Sequence, residues 1–142
     1  MEEDEFKDSP IGRIPNEWQV KRLDKVVNLR REVVAPPNIE ASSVFVGLEH
    51  IPSGATRIFP EHCGRTEDLS STKNRFLSGD ILYGKLRPYL NKVVVPSAKG
   101  VASTEFIPIE PNVKILHPSF LGAFLRSPWF VSYASSNTTG SR

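Results

Sequence analysis

Apolar and polar positions along the chain change period twice, and the changes divide it into regions. Leu23, Val26, Val27 and Arg30 recur at helical spacing, which predicts a short amphipathic helix over residues 23–30. Before it, Pro10-Ile11-Gly12-Arg13-Ile14-Pro15 reads as extended, since a proline disfavours helix in the residue it follows. Trp18 and Val20 alternate with polar neighbours as in a short strand, with Trp18 expected as a core anchor. The middle of the chain is strand-like: residues 44–51 end at Pro52-Ser53-Gly54, a weaker run over 56–59 stops at Pro60, and Ile81-Leu82-Tyr83, Val93-Val94-Val95 and residues 101–110 follow. Residues 33–43, with Pro36-Pro37, and the polar stretch 61–73 read as loops. Helical spacing returns only at the end. Pro118 suits a first helical position, Phe120, Leu121, Phe124 and Leu125 make one stripe, and Ser127-Pro128 repeats the cap-then-proline signal before residues 129–135; residues 137–142 read as loop. The expected class is α+β: a short N-terminal helix, a twisted mixed β-sheet or β-helix-like body, and a C-terminal helical hairpin.

Size and charge narrow this picture. At 142 residues and 39% hydrophobic the chain fits one domain with a real core, which we place at residues 10–142 behind a disordered acidic lead, residues 1–9. Residues 1–8 hold five acids and one base, whereas the rest of the chain holds 17 bases against 11 acids. Residues 65–99 alone carry seven bases and three acids, a bias that suits a polyanion, although a charge run also serves as a solvated surface. The single cysteine, Cys63, excludes an internal disulfide and fits a reducing compartment. The N-terminus has no apolar core of a signal peptide, and no apolar run approaches the ~18–20 residues that span a bilayer. A soluble cytoplasmic protein without a membrane partner is the expectation.

Several chemistries are discounted. Gly79-Asp80-Ile81-Leu82-Tyr83-Gly84-Lys85-Leu86 matches phosphate-loop spacing until its last position, where a hydroxyl is needed for magnesium and Leu86 stands instead; its interior reads as a strand. Ala35-Pro36-Pro37-Asn38 is wrong at both ends for an adenine-methyltransferase tetrapeptide. His50, His62, Cys63 and His117 lack metal-ligand spacing, so neither a metal nor a cofactor is expected. Cys63 with His50 would pair as nucleophile and base only through the fold. Asp80 and Glu105 are better explained as a turn residue and a strand residue holding a neighbouring cation than as a carboxylate pair. No catalytic residue is assigned, and a metal-dependent nuclease or nucleotide hydrolase remains the enzyme alternative.

The stretch from Phe76 to Val95 carries the main candidate chemistry. Between a turn at Ser78-Gly79-Asp80 and the run Val93-Val94-Val95 it places Lys85, Arg87, Tyr89, Asn91 and Lys92 around Pro88. Arg, Lys and Asn are the donors that grip phosphates and read purine edges, and Tyr89 adds a flat apolar face. A hairpin tip whose cations keep an edge soluble accounts for the same residues.

Six fragments taken together resemble the target-recognition domain of the DNA-specificity subunit of type I restriction–modification enzymes. They are Ile11-Gly12-Arg13-Ile14-Pro15-Asn16-Glu17-Trp18, Val46-Gly47-Leu48-Glu49-His50-Ile51, residues 77–92, Ser103-Thr104-Glu105-Phe106, Phe124-Leu125-Arg126-Ser127-Pro128 and Thr139-Gly140-Ser141-Arg142, in the family's order. The resemblance implies a non-catalytic module that reads one half of a bipartite double-stranded DNA target while methyltransferase (M) and restriction (R) subunits act, with a second recognition domain possible. It also implies a spacer helix, which would be expected to begin where this sequence ends, so that a fragment or an isolated half is expected. Base contacts do not transfer, so the DNA-binding candidates are chosen on chemistry: Lys85, Arg87, Tyr89, Asn91 and Lys92 from the central loop, and Arg65, Thr66 and Lys73 from the polar loop before it. Gly79, Asp80, Gly84 and Pro88 are expected to shape the turn, and Glu105 to hold Lys85 or Arg87 in place. The alternative is a protein-interaction module acting through the helical hairpin at residues 120–133.

Overall fold

The computed structural model describes residues 5–67, 69–85 and 87–137. Part of the acidic lead, Leu86 and the Thr139-Gly140-Ser141-Arg142 fragment lie outside them. Eleven strands are named in chain order: β1 (Phe6–Ser9), β2 (Gly12–Pro15), β3 (Val27–Leu29), β4 (Val33–Val34), β5 (Val44–Val46), β6 (Arg57–Ile58), β7 (Lys73–Phe76), β8 (Ile81–Gly84), β9 (Val93–Pro96), β10 (Gly100–Ala102) and β11 (Phe106–Pro111). Two helices close the described chain, α1 (Pro118–Arg126) and α2 (Pro128–Ser136). Short 3-10 turns fill several connections.

The strands form a four-stranded sheet, β4-β7-β10-β5, and a five-stranded sheet, β3-β11-β8-β9-β6, each mixed, beside the separate β1–β2 hairpin. The α+β expectation holds in its mixed-sheet form. Alternation explains the layering. In β8, Leu82 packs with Val46, Phe76, Ala102 and Phe106 of the sheet-facing core, while Ile81 and Tyr83 face the helices with Leu121 and Leu125. In β9, Val94 faces the first cluster and Val93 and Val95 the second. The five-stranded sheet is therefore the middle layer, covered by the other sheet on one side and by the helices on the other.

Both helices begin as their sequence predicts. Pro118 and Pro128 occupy first-turn positions, His117 Nδ1 accepts from Ser119 N–H, and the Ser127 hydroxyl oxygen accepts from Phe130 N–H. The second cap makes the corner between α1 and α2.

Three expectations need correction. Residues 23–30 are not a helix: a 3-10 turn at Leu23–Lys25 gives way to β3, whose Val27, Asn28 and Leu29 pair with Pro111, Glu110 and Ile109 of β11. An isolated eight-residue helix is marginal in water, and the free edge of β11 offers a full set of backbone partners instead. Trp18 is not a core anchor but is 55% exposed, beyond the β1–β2 hairpin and outside any strand. The runs over 44–51 and 101–110 each break: the first ends in a 3-10 turn at Leu48–His50, and the second turns at Ser103-Thr104-Glu105 between β10 and β11. Strand β7 and the pairing of Phe6–Ser9 with β2 were not foreseen.

One buried ion pair ties the middle layer together. Arg30 follows β3 and donates from Nε and Nη2 to the two carboxylate oxygens of Asp80, at 2.7 and 3.2 Å. Their side chains are 12% and 4% exposed. Arg30 also reaches Glu32 and Glu110, each at 3.2 Å, and its backbone N–H donates to Pro108. These carboxylates hold the guanidinium pKa well above its ordinary value, Asp80 foremost. Asp80 additionally accepts from Leu77 N–H at 2.9 Å, closing the turn in which Gly79 takes a φ of +89°. Asp80→Asn should destabilise the protein by about 3–5 kcal/mol by leaving the guanidinium without its main counter-charge. Replacing Arg30 and Asp80 together by Met and Leu should cost less than either single change; equal or greater loss in chemical denaturation would contradict this account.

Candidate nucleic-acid interface

Strand register gathers the candidate loops at one end of the molecule. Parallel β5 and β10 both run toward this end, and antiparallel β7 starts there, with Ala102 opposite Val46 and Asn74. In the other sheet β8 ends there and β9 and β11 begin, with Gly84 opposite Phe106. The polar loop before β7, the loop from Lys85 to Lys92, the turn Leu48–His50 and the turn at Ser103-Thr104-Glu105 thus share one rim. Hydrogen bonds tie them: Ser103 N–H to the Val46 carbonyl, Lys85 N–H to the Glu105 carbonyl (3.0 Å), and the Asn74 side-chain amide to the Phe106 carbonyl (3.0 Å). Gly84 permits this close approach, because a Cβ there would lie 3.0 Å from the Lys92 carbonyl oxygen.

The structure separates the eight candidates into outward and inward groups. Lys85, Arg87 and Tyr89 project from the rim; Tyr89 is 63% exposed. Among the described residues neither Lys85 nor Arg87 forms an ion pair, whereas Arg75 and Lys99 at the opposite end reach Glu32 and Glu40. Arg65 is exposed and pairs with Glu67 at 2.9 Å, and Thr66 is half-buried beside it. Lys73 is buried: its ammonium donates to Ser71 and lies 5.7 Å over the Phe45 ring. Lys92 donates from Nζ to the Leu48 carbonyl at 2.7 Å, and Asn91 donates from Nδ2 to the Arg126 carbonyl at 3.2 Å. Those three side chains hold the rim together, while Lys85, Arg87 and Tyr89 are exposed on it.

Other sequence-level assignments are also decided. Glu105 does not hold Lys85 or Arg87 by its carboxylate, which accepts instead from the Ser103 hydroxyl; it meets Lys85 through its backbone carbonyl. Asp80 and Glu105 flank opposite ends of β8, so they are no carboxylate pair. His50 Nδ1 accepts from Gly47 N–H at 2.8 Å, and its ring stands edge-on to Phe45. Cys63 donates to the Phe59 carbonyl. The phosphate-loop lookalike is the Gly79 turn followed by β8, and the next described element is the 3-10 turn Pro88–Leu90. Among the described residues no three His, Cys, Asp or Glu side chains are placed to hold a metal, and no helix is long and apolar enough to cross a membrane.

One contact escaped the sequence, and one surface it named is given its composition. Arg126, at the end of α1, donates from Nη1 to the Val93 carbonyl at 3.0 Å, in space that Gly122 one turn earlier leaves open. Its position before Ser127-Pro128 was the available signal. The surface is an aromatic face on the helical hairpin. Phe120, Trp129 and Tyr133 are 60%, 63% and 55% exposed, and the last two stack with ring planes 3° apart.

Burial, and then the nearby Glu61, push the Cys63 thiol pKa up. A raised pKa means less thiolate at a given pH, so Cys63 should react with a disulfide reagent at pH 8 several-fold more slowly than a free cysteine does. A rate equal to or above that of free cysteine would contradict the placement.

No protein-family model matches the chain. Over 132 residues, 93% of its length, it is 26% identical to the specificity subunit of the type I restriction enzyme EcoDI from Escherichia coli, of which it spans 29%. It superposes on the HsdS subunit from Thermoanaerobacter tengcongensis with a TM-score of 0.72 at 24% identity, covering 89% of this chain and 34% of that one. A chain from a structural study of assembly and conformational transition in a type I R-M system gives a TM-score of 0.73 at 23% identity, covering 88% and 33%. The chain thus spans about a third of the length of the proteins it matches.

Proposed function

We propose that this chain, a homologue of the specificity subunit of type I restriction enzymes over the length of one domain, is a non-catalytic module that recognises one half of a bipartite DNA target. The observation that carries this reading is the rim itself. It sets Lys85 and Arg87, exposed and without acidic partners among the described residues, beside an exposed tyrosine, on loops pinned by internal hydrogen bonds. A duplex presents phosphates to the cations and base edges to a guanidinium, and a pinned loop meets it with little ordering cost.

In this reading the eight candidates divide their work. Lys85, Arg87, Tyr89, Arg65 and Thr66 face the duplex, and Lys73, Asn91 and Lys92 shape the surface from within. Bond-breaking belongs to M and R partner subunits. The uncharged helix α2, with Trp129 and Tyr133 outward, is the surface we assign to a protein partner, because exposed aromatic clusters of this kind mark contact sites. That assignment joins the interaction-module reading to the DNA-binding one.

Binding should fall steeply with salt, as phosphate contacts release counterions. Arg87→Ala should cost about 1–3 kcal/mol, confined to one base position for an edge contact or spread over all sequences for a phosphate contact. Fluorescence anisotropy on duplex panels at several salt concentrations distinguishes the two, and unchanged affinity and salt slope would remove Arg87 from the interface. Trp129→Ala should leave DNA affinity unchanged while weakening capture of a purified M subunit about tenfold or more, the scale of an aromatic hot spot. The converse pattern would place α2 at the DNA instead.

A further inference from the structure

We propose that Asn91 and Arg126 are positioning residues that fix the aim of Arg87, and thereby set how sharply the rim discriminates between DNA sequences. The inference rests on the DNA-reading assignment above.

Only two described non-glycine residues take left-handed backbone, Arg87 at φ 52° and Asn91 at φ 53°, and they bracket the 3-10 turn Pro88–Leu90. For an L residue that conformation costs roughly 1–2 kcal/mol, with Asn the usual tolerant exception. Asn91 is thus suited to its corner and Arg87 is not, so the surroundings must impose the conformation of Arg87. They do so through a short chain of contacts. Pro88 is buried and its ring fixes φ. Leu90 N–H donates to the Arg87 carbonyl and Asn91 N–H to the Pro88 carbonyl, both at 2.9 Å. The Ser53 hydroxyl donates to the Leu90 carbonyl at 2.7 Å.

The second corner is anchored to the helices. Asn91 Nδ2 donates to the carbonyl of Arg126, whose guanidinium donates onward to Val93 in β9. Among the described residues Arg126 has no carboxylate partner, so its visible role is this brace between α1 and β9. Asn91 Oδ1 is buried without a partner among the described residues. The residue therefore stands there at a cost, and what it supplies is the left-handed corner and the tie to Arg126.

The consequence is specific to discrimination. The direction of the Arg87 side chain follows from the backbone at its own Cα, and a base-edge contact tolerates only about 0.5 Å and 10–20° of error. Attraction to phosphates falls slowly with distance and survives a loosened loop. Releasing the brace should blur sequence choice and spare general DNA affinity.

The test compares the unmodified protein with Asn91→Ala, Asn91→Gly and Arg126→Lys. The probes are a duplex selected by the unmodified protein from a randomised pool and a mixed-sequence duplex of equal length. Hydrogen exchange at the Leu90 and Asn91 amides is followed in parallel. Asn91→Ala should speed that exchange and lower the ratio of selected to mixed-sequence affinity about tenfold, within the range one base-edge contact contributes. Affinity for the mixed duplex and the salt slope should stay within about twofold. Asn91→Gly, which keeps the corner and loses the amide bond, should fall between, as should Arg126→Lys; these two carry the test where the alanine variant does not fold. Unchanged exchange with unchanged discrimination would overturn the proposal. So would parallel loss on both duplexes with a lowered Tm, the mark of a merely structural role. An unmodified protein that enriches no sequence from the pool would overturn the DNA-reading assignment and this inference with it, whereas enrichment shared equally by all variants would overturn the inference alone.

Discussion

Arg30 and Asp80 hold the frame on which the rest is hung. A carboxylate as buried as Asp80 would be costly alone, and so would the guanidinium facing it. Paired in a fork, with Leu77 N–H on the same carboxylate and Pro108 accepting from the Arg30 backbone, they join three neighbours in the middle sheet. These are the exit of β3, the turn that starts β8, and β11 between the two strands. A one-residue slip of β8 would turn Leu82 from the sheet-facing core to the helix-facing core and reverse Ile81 and Tyr83 as well. The ion pair and the alternation therefore specify the same register, one electrostatically and one by burial.

That register decides what happens at the far end of β8. Once Ile81 is set opposite Ile109, Gly84 falls opposite Phe106, and Lys85 emerges beside the turn at Ser103-Thr104-Glu105. The chain must then return to β9 within a few residues, and it does so through two left-handed corners and a buried proline. The inward donors Lys73, Asn91 and Lys92 satisfy carbonyl oxygens beneath the rim. Lys85 and Arg87 lie exposed above it, with no ion pair among the described residues. Arg75 and Lys99 at one end are thus held in ion pairs, whereas Lys85 and Arg87 at the other form none among the described residues.

The helical hairpin serves both sides of this arrangement. Leu121 and Leu125 seal the middle sheet, Arg126 reaches β9, and the α2 face carrying Trp129 and Tyr133 is left uncovered. A partner seated on α2 would be one helix away from the Pro88–Leu90 turn, because α2 packs on that turn. Docking and DNA contact would then share one rigid unit.

The sequence by itself determined the features whose physics is local. The Ser-Gly-Asp turn, the two proline-led helices with the Ser127 cap between them, and the alternating runs of β8 and β9 follow from residues near one another in the chain. The presence of a cationic, aromatic loop between those runs was legible for the same reason. Tertiary structure decided everything that depended on a distant partner. Residues 27–29 became a strand because the edge of β11 was there to accept them, and Arg30 changed from a helix position to the counter-charge of a residue 50 places away. Lys73, Asn91 and Lys92 are hydrogen-bond donors as Lys85 and Arg87 are, so composition could not distinguish them. Carbonyl oxygens and a ring drew the first three inward, and the other two have no such side-chain partner among the described residues.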